Sequence, residues 1–207
     1  LNALQAAREA GVRHVVYASF LNAESRLVEH SRLVHFPTEQ AIRESGLGFT
    51  LLRHGLYAEV LVGDLQQTLA TGALRRPGGT ARCAYIARSD LGESAACVLM
   101  QEDAPSGTTY TETMERTWSG AEIAELMSEV FGRPVRFDPV PVEEWPRYMM
   151  DNWGLPEELA RSTTGTTQAI QAGEFDLVTG DYARITGHPP MTMRQFLERI
   201  RDERAAG

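Results

Sequence analysis

The 207-residue sequence has few cysteines, no long apolar run and no excess of basic residues. Cys83 and Cys97 do not form a CxxC pair, and no histidine lies at a spacing typical of zinc sites. We therefore expect two reduced thiols in a cytoplasmic protein, and no metal site. No segment approaches the roughly 20 apolar residues that a membrane-spanning helix needs, and no signal-peptide pattern opens the sequence.

The net charge is −8 and the sequence pI is about 5.2. A face that binds nucleic acid would need clustered basic residues, and an acidic membrane surface attracts basic segments. The charge therefore argues against both kinds of partner. Hydrophobic residues make up 43% of the chain, which is enough for a packed core in one domain, or in one domain with a small lobe.

Helix-forming and strand-forming segments alternate in the first third of the chain. The sequence starts at Leu1 inside a helix-forming segment, which predicts that an N-terminal part has been removed. The pattern then predicts a strand buried on both faces, a helix, a second buried strand and an amphipathic helix. These elements are Val12–Phe20, Leu33–Ser45, Leu47–Arg53 and Tyr57–Thr71. Their order indicates a parallel α/β sheet with right-handed crossovers.

The rest of the chain continues with shorter elements. Ser119 and Glu122 form a capping-box pattern, as do Thr192 and Gln195, and each pair predicts the start of a helix. The predicted strands are Ala81–Ala87, Thr108–Thr113 and Val135–Val140. The predicted helices are Asp90–Met100, capped by Ser89, then Ala121–Phe131 and a C-terminal helix to Arg204.

Five segments together resemble the atypical short-chain dehydrogenase/reductases of the NmrA-like family. They are VVYASF (15–20), HFPTE (35–39), SGLGFTLLRHGLY (45–57), ARSDLGESAACVL (87–99) and GHPPMTMRQFL (187–197). Within the family they are most similar to the NAD(P)H:quinone oxidoreductase type 2 group. The resemblance implies an α/β fold, the C-terminal part of a Rossmann-type doubly wound parallel sheet with a small α+β substrate lobe. It also implies a cofactor-side portion, 1–117, interleaved with a smaller lobe, 118–207.

Members of this family begin with a strand, a GxxGxxG turn and a helix, which hold the pyrophosphate of NADP(H) or NAD(H). No segment of this sequence matches that turn. We therefore expect the intact protein to use NADP(H) or NAD(H), and this chain to bind either one weakly or not at all. We also expect the strand Val12–Phe20 to present a free sheet edge, at which two copies can form a homodimer.

The usual Tyr-x-x-x-Lys pair of short-chain reductases is replaced here by His35-Phe36-Pro37-Thr38-Glu39, as the resemblance leads us to expect. His35 is a candidate proton donor near neutral pH, or else a histidine on the helix surface or at a cap. Glu39 is a candidate partner for ribose hydroxyls, or else a solvated helix residue. Tyr17 is a second candidate catalytic residue, or else a core residue.

By resemblance, two strand ends lie beside the nicotinamide, at the carboxyl edge of the sheet where α/β proteins bind ligands. The predicted cofactor-binding residues are Tyr17, Ala18, Ser19, Glu39, Arg53, His54, Gly55, Leu56 and Tyr57. An aromatic cluster further along can stack on a flat substrate, or can form the core of the lobe. The predicted substrate pocket consists of Leu21, Trp145, Met149 and Trp153.

Three functional hypotheses follow. The first is NAD(P)H-dependent hydride transfer to a quinone or a similar small electrophile. The second is a non-catalytic regulator that senses NAD(P), because the missing Tyr-x-x-x-Lys pair fits binding without turnover equally well. The third is that the chain is an inactive fragment of either kind of protein.

Overall fold

The computed structural model describes residues 2–63, 65–101 and 106–206. Its α-helices are α1 Asn2–Glu9, α2 Phe36–Glu44, α3 Leu65–Thr71, α4 Arg88–Met100, α5 Gly120–Phe131, α6 Trp145–Trp153, α7 Glu157–Gln171, α8 Asp181–Thr186 and α9 Met193–Ala206. Its strands are β1 His14–Phe20, β2 Gly48–His54, β3 Leu56–Tyr57, β4 Ala73–Arg76, β5 Arg82–Cys83, β6 Tyr85–Ile86, β7 Thr108–Glu112, β8 Trp118–Ser119 and β9 Arg136–Pro139. None of these helices is long and apolar enough to cross a membrane.

The central sheet has the strand order β1-β2-β7, and both pairs of neighbours are parallel. The predicted parallel α/β arrangement is therefore confirmed. The middle strand β2 buries Leu51 and Leu52, as an apolar strand between two neighbours should. The prediction that Val12–Phe20 is buried on both faces is wrong. Ala18 is exposed and Val12 is 39% exposed, because β1 lies at the edge of this sheet.

The predicted helix Tyr57–Thr71 is also wrong over its first half. Leu56 and Tyr57 form a short strand that pairs with β6, followed by a 3-10 turn, and α3 begins only at Leu65. The Leu56 N–H donates to the Ala84 carbonyl at 3.0 Å. Pairing with a distant segment thus overrides the local helical preference.

Two other element boundaries differ from their predictions. The segment Ala81–Ala87 forms two strands, of which β5 pairs antiparallel with β8 and β6 pairs parallel with β3. Helix α4 begins at Arg88, and Ser89 does not cap it. Instead, the carboxylate of Glu59 accepts a hydrogen bond from the Arg88 N–H at 3.0 Å. This cap comes from 29 residues earlier in the chain, so local spacing cannot reveal it.

Both capping boxes are confirmed. The Glu122 N–H donates to Ser119 Oγ at 3.3 Å, and the Ser119 N–H donates to Glu122 Oε2 at 2.8 Å. The pair Thr192 and Gln195 has the same reciprocal bonds, at 3.2 and 2.9 Å. Each box satisfies backbone donors that the first turn of a helix would otherwise leave free.

The predicted helix Leu33–Ser45 has an irregular beginning. A π-helical turn spans Ser31–His35, and α2 continues from Phe36 with Pro37 in its first turn, where proline is tolerated. This turn places His35 beside Tyr17 and Phe20, at the carboxyl end of β1.

The largest hydrophobic cluster contains residues from both predicted portions, among them Leu21, Leu74 and Phe196. Two small sheets also cross the boundary between 117 and 118, since β4 pairs with β9 and β5 pairs with β8. The two segments thus share one core, and their division into a cofactor-side portion and a substrate lobe stays a prediction.

Candidate active site

Glu39 is the centre of a buried polar network at the carboxyl ends of β1 and β2. Its side chain is 0% exposed. Oε1 accepts from Ser19 Oγ at 2.6 Å and from Arg53 Nε at 2.9 Å, and Oε2 accepts from Arg53 Nη2 at 2.6 Å and Arg43 Nη1 at 3.0 Å. Glu39 is therefore not a solvated helix residue. A ribose hydroxyl could reach it only by displacing these partners.

Arg53 donates hydrogen bonds to Glu39 from Nε and Nη2. The same Nη2 also donates to Glu24 Oε1 at 2.6 Å. Burial alone would raise the pKa of Glu39, but the hydrogen bonds from Arg53, Ser19 and Arg43 hold that pKa below its usual value. The bonds to Glu39 likewise raise the pKa of Arg53. A charged pair with two parallel hydrogen bonds is a geometrically specific contact. The network ties α2 to the ends of both strands.

Tyr17 and His35 lie beside this network. The Tyr17 hydroxyl shares a hydrogen bond with His35 Nδ1 at 3.0 Å, and both side chains are half-buried. Burial, followed by the nearby His30, lowers the pKa of His35, and burial raises the pKa of Tyr17. At neutral pH the pair is thus largely uncharged. His35 would act as an imidazolium acid only at a pH below its lowered pKa.

The loop after β2 is packed against the protein's own backbone. The Gly55 N–H donates to the Glu112 carbonyl at 2.9 Å, and a Cβ on Gly55 would lie 3.1 Å from the Ala84 carbonyl oxygen. The glycine is therefore needed so that the backbone of this loop can pack closely against the backbone at Ala84 and Glu112. His54 is buried, with Nε2 3.2 Å from Glu112 Oε2 but not aligned for a hydrogen bond.

An apolar cavity of about 510 Å³ opens beside these strand ends. Its walls include Tyr57, Trp145, Met149 and Trp153. Other lining residues are Phe20, Leu56, Val60, Leu61, Leu74, Arg76, Pro77, Gly78, Gly79, Ala81, Cys83, Tyr85, Trp118, Gly120, Ile123, Phe137, Leu159, Thr163, Thr166, Thr167 and Ile170. Leu21 is not one of them, because it is 0% exposed in the main core.

The predicted residues thus divide between two neighbouring places. The lining does not include Tyr17, Ala18, Ser19, His35, Glu39, Arg53, His54 or Gly55. Phe20 joins the two places, because it lines the cavity and its ring stacks on His35 with a centroid distance of 6.0 Å.

Aromatic side chains form one end of the cavity. The rings of Trp145 and Trp153 meet edge to face at 5.3 Å. The guanidinium of Arg76 lies 5.5 Å from the first ring and 5.1 Å from the second, within the range of cation–π attraction. All three tryptophans of the chain line this cavity, since Trp118 lies on another wall.

Sequence reasoning missed several lining residues, notably Arg76, Cys83 and Tyr85. A signal was available for two of them, since Cys83 and Tyr85 are two positions apart in an extended segment and so share one face. Nothing local marks Arg76, whose strand β4 pairs with β9 about 60 residues later. The chain contains no lysine, so it has no Tyr-x-x-x-Lys pair at any position.

Comparison with known proteins gives three informative relatives. Quinone oxidoreductase 2 of Escherichia coli is 26% identical over 200 residues, which cover 96% of this chain and 68% of that protein. NAD(P)H azoreductase of Xenophilus azovorans is 26% identical over 194 residues, covering 93% and 67%. The crystal structure of Citrobacter sp. triphenylmethane reductase complexed with NADP(H) superposes with a TM-score of 0.87 at 30% identity, covering 96% and 69%. The chain therefore spans about two thirds of the length of each relative.

The superposition on the triphenylmethane reductase shows that the chain shares its fold, and the Rossmann-type prediction is confirmed. The sequence model of the NmrA-like family matches residues 2–180, which is most of the chain. From this match, the chain belongs to the NmrA-like family, a group of Rossmann-fold proteins that includes NAD(P)H-dependent oxidoreductases.

Proposed function

We propose that the protein takes part in NAD(P)H-dependent reduction of a flat, conjugated electron acceptor such as a quinone. The observation that carries this proposal is the aromatic-lined cavity of about 510 Å³ beside the carboxyl ends of β1 and β2. Ligands of α/β proteins bind at that edge of the sheet, and concave apolar sites with a few polar groups suit small aromatic molecules.

The names of the relatives support the class of acceptor. They refer to a quinone, an azo compound and a triphenylmethane, and all three chemical classes are conjugated and aromatic. Stacking on Trp145 and Trp153 favours such molecules, because aromatic pairs gain from both area and ring geometry. The aromatic lining of the site thus favours a flat ring over an aliphatic carbonyl compound.

A nicotinamide would fit at the strand ends between the polar network and the cavity. Ala18 is exposed there, with a small side chain that leaves room for a ring, and Tyr57 faces the cavity from the next strand end. A bound NADPH or NADH supplies the hydride. Ser19, Glu39 and Arg53 then act as positioning residues, because their hydrogen bonds are used among themselves.

In this proposal Tyr17 and His35 hold a shared proton between the Tyr17 hydroxyl and His35 Nδ1. Their shared hydrogen bond fixes the ring of His35 against Phe20, on the cofactor side of the cavity wall. The pair keeps one proton in the hydrogen bond between Nδ1 of His35 and the hydroxyl oxygen of Tyr17, and neither group lines the cavity.

The test is stopped-flow absorbance at the nicotinamide band, with the full-length gene product, NADPH and benzoquinone. One NADPH, one quinone and one proton should give NADP⁺ and hydroquinone faster than in the uncatalysed reaction. Thr166→Phe, which fills the cavity, should abolish this turnover. Thr164→Phe on the same helix is the control, because Thr164 does not line the cavity. Binding of NADPH without turnover in the unmodified protein would instead favour a nucleotide-sensing regulator.

A further inference from the structure

Tyr85 and Cys83 stand on one wall of the cavity, away from the polar network around Glu39. They are 8% and 2% exposed, and both line the cavity. Two-residue spacing along an extended chain points both side chains to the same side. The phenol of Tyr85 and the thiol of Cys83 therefore line a cavity whose other walls are largely apolar.

The Tyr85 hydroxyl has a weak partner. The thiol of Cys83 lies beside it, and that thiol itself donates to the Ala84 carbonyl at 3.6 Å. Within the described residues, no oxygen or nitrogen atom accepts a hydrogen bond from this hydroxyl. Sulfur is a poor acceptor, so the hydroxyl can turn to a better one. Burial raises the pKa of Tyr85 and of Cys83, which keeps both groups protonated.

Other neutral polar groups around the cavity are less suited to donate a hydrogen bond to a ligand. Nε1 of Trp118 and of Trp153 is buried by neighbouring protein atoms. The hydroxyls of Thr163 and Thr167 donate to carbonyls of their own helix, at 2.8 and 3.3 Å. Among the described residues that line the cavity, three neutral hydroxyls remain, those of Tyr57, Tyr85 and Thr166. The two phenols are stronger hydrogen-bond donors than Thr166, because a phenol is more acidic than an aliphatic alcohol. Of the two phenols, Tyr85 is buried and Tyr57 is only partly buried, so a hydrogen bond from Tyr85 to a ligand competes less with water.

We propose that the Tyr85 hydroxyl donates a hydrogen bond to the carbonyl oxygen of a quinone-type acceptor, which makes Tyr85 a determinant of substrate class. The inference rests on the proposed function for the reaction that it serves. Addition of hydride to the quinone ring oxidises the nicotinamide and puts negative charge on that oxygen. A fixed donor there stabilises the developing charge. Solvent supplies the proton that completes the hydroquinone, and Tyr85 keeps its own.

This role predicts a difference between two classes of acceptor. A quinone ends with charge on oxygen and needs a donor beside it. A triarylmethyl cation accepts hydride at carbon to give a neutral product, with no oxygen to stabilise and no proton to add. Loss of the Tyr85 hydroxyl should therefore affect the first class and spare the second.

Binding is tested first, without nucleotide, by tryptophan fluorescence. Because all three tryptophans line the cavity, quenching by tetramethyl-1,4-benzoquinone reports on this site. This quinone has no ring hydrogen that the Cys83 thiol could displace. The matched ligand, 1,2,4,5-tetramethylbenzene, lacks the oxygens and is measured by its competition with the quinone. Tyr85→Phe should weaken quinone binding about 3- to 10-fold, as expected for one neutral hydrogen bond, and should leave hydrocarbon binding unchanged.

Tyr110→Phe is the control, because Tyr110 lies on β7 and packs in a separate cluster. Equal quinone affinity in Tyr85→Phe and unmodified protein would overturn the assignment. An equal loss for both ligands would also overturn it, since that result indicates a purely structural effect. Absence of quenching in the unmodified protein would contradict it as well.

Turnover with NADPH then separates this inference from the proposed function. In Tyr85→Phe, quinone reduction should fall while reduction of a triarylmethyl cation stays unchanged. Tyr85-dependent binding without any turnover in the unmodified protein would support the donor assignment and contradict the proposed reaction. Turnover of both acceptors that is unaffected by Tyr85→Phe would support the reaction and contradict the assignment.

Discussion

At the scale of single residues, Glu39 accepts four hydrogen bonds from three side chains and so links α2 to the ends of β1 and β2. Replacing it with alanine leaves Arg53, whose side chain is only 15% exposed, without its main partner. Removing one member of a buried ion pair typically costs about 3 kcal/mol or more. We expect Glu39→Ala to lower the free energy of unfolding by about 3 kcal/mol, measured from urea denaturation.

Glu44→Ala is the matched control, because Glu44 lies on the same helix and is exposed. Exposed substitutions usually change stability by less than about 0.5 kcal/mol. If both variants unfold at the same urea concentration, Glu39 does not carry the role assigned to it.

Glu39 also makes stability depend on pH. Its folded-state pKa is lowered from 4.5, mainly by bonds from Arg53 and Ser19 that outweigh the opposing effect of burial. The unfolded chain therefore binds this proton first as pH falls. The stabilisation is fully present above pH 4.5 and is lost as pH drops through the lower folded-state pKa. Unfolding midpoints measured from pH 7 to pH 3 should fall more steeply for the unmodified protein than for Glu39→Gln. Parallel curves would contradict this account.

At the scale of elements, two helical glycines that look alike in sequence differ in their surroundings. A Cβ on Gly165 in α7 would clash with the Leu27 carbonyl oxygen, whereas a Cβ on Gly92 in α4 would meet no atom within 4 Å. Gly165→Ala should therefore destabilise the protein by about 1–3 kcal/mol through overpacking. Gly92→Ala should stabilise it by roughly 0.5–1 kcal/mol through helix propensity. Thermal unfolding of the two variants checks the opposite signs, and a gain for Gly165→Ala would show that the loop before α2 yields freely.

The elements that sequence reasoning predicted well are those specified by close neighbours. The capping box of Ser119 and Glu122 could be predicted because both partners lie within one turn. Strand β4, Ala73–Arg76, was not predicted, because it exists only through its pairing with β9. The cap of α4 by Glu59 was missed for the same reason. Local propensity was a weak guide wherever tertiary pairing determined the conformation.

The site shows the same division. Tyr17 and His35 were predicted separately as catalytic residues, and the structure brings their polar atoms within 3.0 Å. Burial of Glu39 could not be predicted, because it depends on Arg53 from another element. Leu21 was predicted to line the pocket, but its side chain is 0% exposed and belongs to the main core.

At the scale of the whole molecule, the sequence contains no GxxGxxG motif, and no glycine-rich turn that could hold a pyrophosphate lies between a strand and a helix in the part of the chain that the structure describes. We therefore expect this chain alone to bind NADPH weakly, with no saturation at low-micromolar concentrations in calorimetry. Nanomolar to low-micromolar affinity would contradict this prediction. It would also show that the nicotinamide end of the site suffices for binding.

The edge position of β1 leads to a prediction about assembly. This strand pairs only with β2 among the described residues, so its other edge presents backbone donors and acceptors. Such an edge can pair with a second copy of the chain. Light scattering of the 207-residue chain should show a dimer whose share grows with concentration. A strictly monomeric signal over the same range would rule out this mode of pairing.

The π-helical turn before α2 has a consequence for how this chain can tolerate a change in length. The Phe36 N–H bonds to the Ser31 carbonyl five residues earlier, so the turn holds one residue more than an α-helix requires. Deleting a residue there would let the turn relax into regular helix, and the residues just before it, around His30, would rotate by about 100° relative to α2. The His30 ring would lose its edge-to-face contact with the His35 ring, while Glu39 and the sheet stayed in place. A single deletion or insertion at this point is thus a way to change the surroundings of one histidine without rebuilding the fold.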